Sequence, residues 1–61
     1  MMNNTGYEDK NGKVISLGDE VMLNGVKYEV TTNVFTQRIV VDSKVGQENL
    51  LMVADKCELI D

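Results

Sequence analysis

Two adjacent carboxylate pairs, Glu8-Asp9 and Asp19-Glu20, are the first residues here that could do chemistry. Oxygen ligands on flexible loops suit Ca²⁺ or Mg²⁺. The spacing fits no ion-binding loop, however, and aspartate also holds bends by accepting nearby backbone N–H groups. Asp19 is therefore expected to shape a bend, with solvated neighbours and no metal. Cys57, the single cysteine, would need a base or a cluster of cations to act as a nucleophile. The chain has no histidine, and its basic residues do not cluster. Cys57 reads as a small buried apolar residue. No catalytic residue, metal ligand or cofactor site is assigned.

The aromatic residues Tyr7, Tyr28 and Phe35 could stack on bases or on a peptide. Tyr28 falls within an alternating apolar run and is expected in the core. Phe35 lies in a connection between strands and Tyr7 in an N-terminal arm, so these two are the interaction candidates. Arg38 with Lys44 could touch a phosphate; beside so many acids, the pair more simply forms a solvated face. Asp55 belongs to an acidic second half with Asp42, Glu48, Glu58 and Asp61. Such a face could steer the chain to a basic partner, although solubility accounts for the same charges.

Composition narrows the classes. Sixty-one residues make one small domain over 1–61, with 1–5 as a loose tail. A chain this short buries only about 60% of its unfolded surface, so its stability is modest or aided by self-association. Six basic residues against ten acidic give a net charge of −4, which argues against a phosphate-dominated grip on nucleic acid. No run approaches the roughly 18 apolar residues of a membrane span. A lone thiol and no visible secretory signal imply a reducing, cytoplasmic setting.

These candidates must be positioned by strands. Residues 18–30 hold alternating apolar positions on both sides of Asn24-Gly25. Asn and Gly tolerate the positive φ that a two-residue type I′ turn demands. That turn sets Leu23 opposite Val26 and Val21 opposite Tyr28. Val21, Leu23, Val26, Tyr28 and Val30 then share one face, and Glu20, Met22, Lys27 and Glu29 the other. A lone hairpin is barely stable in water, so later strands must cover the apolar face. Asn11-Gly12 marks a second turn, with Tyr7 and Val14 or Ile15 folding toward the core. Gly18 supplies a backbone conformation that a β-carbon would oppose.

Strands are expected over 20–23, 26–33, 38–42, 49–53 and 57–60, with a polar loop at 43–47. A 3₁₀ turn at Ala54-Asp55-Lys56 precedes the last strand. Helix is the competing reading over 47–56, where Glu, Leu, Met and Ala favour it. The expectation is an all-β chain, a small five-stranded barrel of the SH3-like type. Pairing of two copies through an edge strand is open to so short a chain.

Residues 5–21 resemble the opening motif of YopX-type proteins of phages and prophages, roughly T-G-x-x-D-K-N-G-K-x-I-x-x-G-D-x-V. The likeness is carried by Thr5, Gly6, Asp9, Lys10, Asn11, Gly12, Lys13, Ile15, Gly18, Asp19 and Val21. Leu17 departs from the acidic residue usual there, and full-length members are longer. The resemblance implies a β-rich phage or prophage protein in the cytoplasm of a bacterial host, and it carries no catalytic residues. The close of the chain, 51–59, is similar to the last strand, turn and strand of many SH3-like barrels. Together these readings imply a non-enzymatic accessory protein that binds another protein, itself included. The alternative is a nucleic-acid or ribonucleoprotein binder built like KOW or Tudor modules.

Overall fold

The computed structural model describes residues 3–60. Its centre is the expected hairpin of β3 (Glu20–Leu23) and β4 (Val26–Thr32). Asn24 and Gly25 both take positive φ, 54° and 78°, as a type I′ turn requires. The register pairs Leu23 with Val26 and Val21 with Tyr28. Val21, Leu23, Tyr28 and Val30 are buried, and Glu20, Met22, Lys27 and Glu29 face water. The bend before β3 forms at Gly18, with φ +90°. The Asp19 carboxylate accepts the Ser16 N–H at 2.8 Å, as its residue type implies. Gly18 donates to the Val30 carbonyl and Val30 to that of Asp19, so the bend extends the β3–β4 pairing.

The sheet grows outward on both sides through β5 (Ile39–Ser43), β6 (Gly46–Asn49) and β7 (Glu58–Leu59). All pairs are antiparallel, in the order β6-β5-β4-β3-β7. A separate ribbon of β1 (Asn4–Glu8) and β2 (Val14–Ser16) turns at Asn11-Gly12. The chain is thus β-rich and antiparallel as expected. The sheet does not close: among the described residues, β6 and β7 each pair with a strand on one side only. Among the described residues, no helix is long and apolar enough to cross a membrane.

The core gathers Ile15, Val21, Leu23, Tyr28, Val30, Val41, Leu50, Ala54 and Cys57. Each fully buried aliphatic among them contributes about 1.5–3 kcal/mol. Cys57 has no exposed surface, in keeping with a packing role. Tyr28 packs as expected, and Ile15 rather than Val14 supplies the apolar side chain from β2.

Three expectations need correction. The tail expected over 1–5 includes Asn4 and Thr5, which are in β1; Thr5 donates its hydroxyl to the Ile15 carbonyl at 2.7 Å. Met1 and Met2 lie outside the described residues. Residues 43–47 are not simply a loop, since Gly46 and Gln47 open β6 after a tight turn at Lys44-Val45. The Ser43 hydroxyl accepts the Val45 N–H across that turn. Residues 49–53 are not a strand. The strand ends at Asn49, and α1 (Leu50–Val53) makes one helical turn into a 3₁₀ turn at Ala54–Lys56. A strand here would bury alternate residues; instead Leu50, Ala54 and Cys57 are buried and Val53 is half-buried. That is helical spacing, and it turns Leu51 and Met52 outward. The 3₁₀ turn itself falls where the sequence placed it.

Candidate functional site

The most irregular chemistry lies in the N-terminal ribbon. Asp9 is the one buried charged residue among those described, at 5% exposure. One carboxylate oxygen accepts the N–H groups of Asn11 and Lys13, at 2.9 and 2.8 Å. The other accepts the Leu59 N–H at 2.9 Å, fifty residues away. The Leu59 bond is the strongest influence on Asp9 and lowers its pKa below 3.8; burial opposes this, and the Lys13 and Asn11 N–H groups and the Lys13 charge add to the lowering. Asp9 is therefore no solvated neighbour, as its sequence context suggested, but a three-way backbone acceptor. Lys10 donates its N–H to the Cys57 carbonyl at 2.9 Å beside it. The ribbon thereby covers the outer side of β7.

A local signal marked half of this arrangement. Aspartate at the first position of a turn with glycine at the fourth is a type I pattern. Asp9 and Gly12 match it, and the Gly12 N–H meets the Asp9 carbonyl at 3.0 Å. Among the described residues no group of acids, cysteine or histidine is arranged to hold a metal. The Cys57 thiol is pushed up by burial first, then by the charges of Asp55 and Asp9.

The opposite edge has no such cover. A two-residue turn makes Ser43 and Gly46 a hydrogen-bonded pair, and alternation makes Val41 and Glu48 the next. Gln47 and Asn49 therefore direct their N–H groups away from the sheet. All four β6 residues are exposed. The Gln47 side chain is occupied: its oxygen accepts the Asn33 amide at 2.7 Å, a bond that crosses β5.

At the Asn49 end of this edge lies a concavity of about 240 Å³, lined by Tyr7, Gln37, Arg38, Ile39, Asn49 and Leu51. The β4–β5 loop shapes one wall. The Asn33 carboxamide oxygen accepts the Phe35 and Thr36 N–H groups, and the Thr36 hydroxyl accepts that of Arg38. Gln37 sits at φ +59°, and the loop closes with the Asn33 N–H on the Arg38 carbonyl at 2.8 Å. Tyr7, Ile39 and Leu51 supply apolar surface. Arg38 supplies a cation with no carboxylate partner among the described residues, unlike Lys10 and Lys27, which pair with Glu58 and Glu20.

Of the four candidate contact residues, the structure brings Tyr7 and Arg38 to this concavity. Phe35 stands at the loop tip, 94% exposed, outside the lining. Asp55 is exposed in the 3₁₀ turn and does not line the concavity. Arg38 and Lys44 flank opposite ends of β5, roughly 20 Å apart along an extended strand, so they form no joint phosphate clamp. Glu48 and Glu58 belong to opposite edges of the sheet, and Asp61 lies outside the described residues. Asn49 and Leu51 were missed as site residues because they were read as one strand's interior. Comparison with protein-family models, curated proteins and solved structures returns no match to this chain.

Proposed function

We propose that this chain is a non-catalytic protein-interaction module that captures an extended segment of another protein on β6. It is an accessory protein of the phage or prophage kind that the likeness over residues 5–21 implies, and its curled sheet is a small barrel of the SH3-like type left unclosed. The single observation that carries the reading is the β6 edge. Among the described residues its outward N–H groups have no partner, and it ends in a concavity whose arginine has no carboxylate partner among them. Exposed edges recruit strands because each added residue satisfies backbone groups already in place.

The test uses a displayed library of random twelve-residue peptides. Asn49 has φ −69°, which proline adopts without strain, so Asn49→Pro removes one outward N–H and leaves the fold. Asn49→Ala keeps the N–H and removes only the side chain. Peptides enriched on the parent should hold to Asn49→Ala and be lost from Asn49→Pro. No enrichment, or equal capture by the proline variant, overturns the reading. So does tight, salt-sensitive binding to nucleic acid, or a native dimer that Asn49→Pro dissociates, which would make a second copy the occupant.

A further inference from the structure

Resting on that reading, we infer that the segment taken by β6 is the C-terminal tail of a partner protein. It lies parallel to β6, with its last apolar side chain in the concavity and its terminal carboxylate on Arg38. Direction follows from topology. β6 runs from Gly46 to Asn49, and Asn49 is both its last residue and part of the concavity. Beyond it the chain leaves the edge as α1. An added strand therefore has backbone to pair with only up to this point, and its end falls at the concavity.

Charge decides which end that is. A strand laid antiparallel to β6 would bring its beginning, and with a free N-terminus an ammonium, toward the Arg38 guanidinium. A strand laid parallel brings its carboxylate. Guanidinium binds carboxylate through two parallel N–H bonds, a geometry no lysine reproduces. Among the described residues, no carboxylate pairs with Arg38 and no acidic side chain lines the concavity. The volume of about 240 Å³ admits one side chain of leucine or phenylalanine size. Tyr7, Ile39 and Leu51 give that side chain apolar surface, and the Gln37 amide in the lining adds a polar donor.

Two synthetic pools of random heptapeptides, one with free C-terminal carboxylates and one with C-terminal amides, provide the test. Each is captured on the full chain and read by mass spectrometry. The free-acid pool should be retained about tenfold more strongly, with aliphatic or aromatic last residues enriched. Arg38→Gln should erase the difference between pools; Arg38→Lys should restore only part of it. Equal retention of both pools by the parent, with loss of both on Asn49→Pro, overturns the terminal-carboxylate assignment and leaves strand addition standing. Retention of either pool by Asn49→Pro, or of neither pool by the parent, overturns both.

Discussion

At the β7 edge the Leu59 N–H and the Cys57 carbonyl are both taken by the N-terminal ribbon, through the Asp9 carboxylate and the Lys10 N–H. At the β6 edge the corresponding groups of Gln47 and Asn49 have no partner among the described residues. The difference is one of chain connectivity. β7 is the shorter strand, two residues against four, and its position depends on being covered. β6 is tied by a tight turn to β5 and by Leu50 to the core, so it stays in place uncovered. One edge is thus covered within the fold, and the other is open among the described residues. Natural sheets blunt a free edge with short length and charge, and β6 has both, in its four residues and Glu48. That combination limits indiscriminate pairing, as the proposed capture of one segment requires.

If Leu50 is what anchors the open edge, Leu50→Ala should have the largest effect of any change near it. A buried leucine truncated in a core costs about 2–5 kcal/mol. Leu51→Ala, one residue on but 61% exposed, should stay within about 0.5 kcal/mol. Urea unfolding of the two variants measures the contrast. Similar losses for both would mean residues 50–53 bury alternate faces after all, and that the open edge is held differently.

The closed edge should break at Asp9. Asparagine keeps the shape but turns an N–H₂ toward backbone donors, so Asp9→Asn should lower the melting temperature by on the order of 10 °C. Its pH dependence has a definite sign. Folded Asp9 has a pKa below 3.8, so it holds its proton less readily than in the unfolded chain. Its stabilisation is complete above the ordinary carboxylate value and is lost as pH falls through the lower folded value. Thermal melts below pH 4 should therefore be steeper in pH for the parent than for Asp9→Asn. Parallel curves would show that Asp9 does not close this edge.

Local chemistry explains what could be read in the sequence and what could not. The Asn24-Gly25 turn, the β3–β4 register, the Asp19 bend and the 3₁₀ turn at Ala54–Lys56 each depend on residues within a few positions of one another. So do most positions shared with the YopX-type motif. Gly12 and Gly18 take positive φ, Ile15 and Val21 are buried, and Asp9 and Asp19 accept backbone N–H groups. In this chain, these residues shape the fold, and none of them lines the concavity beside β6. β6 was invisible because every residue in it is exposed, so it has no apolar alternation. Leu50, Val53, Ala54 and Cys57 did carry a helical period, obscured by the β-rich segments around them. The Asp9–Leu59 bond spans the chain, and no local pattern reports a partner fifty residues away.

Both edges share the central hairpin, so weakening it should affect them equally. Gly25→Val forces a β-branched residue to φ +78° and should cost about 1–2 kcal/mol. Hydrogen exchange would then rise together at Leu59 and at Glu48. A rise at one edge alone would show that the edges are stabilised independently of the Asn24-Gly25 turn.

The smallest change in stability is expected at the open edge itself. At Asn49 the backbone already has φ −69°, its N–H has no partner among the described residues, and the preceding residue is extended within β6. Proline there removes no hydrogen bond and restricts only the unfolded chain, so Asn49→Pro should be neutral or stabilising by up to about 1 kcal/mol. Leu59→Pro, the same substitution at the covered edge, deletes the N–H that Asp9 accepts and should be plainly destabilising. The sign difference between these two prolines, measured by denaturant unfolding, distinguishes a donor that faces water from one the fold depends on. If Asn49→Pro proved as damaging as Leu59→Pro, the Asn49 N–H would already be engaged, and β6 would have no vacant edge for a partner to extend.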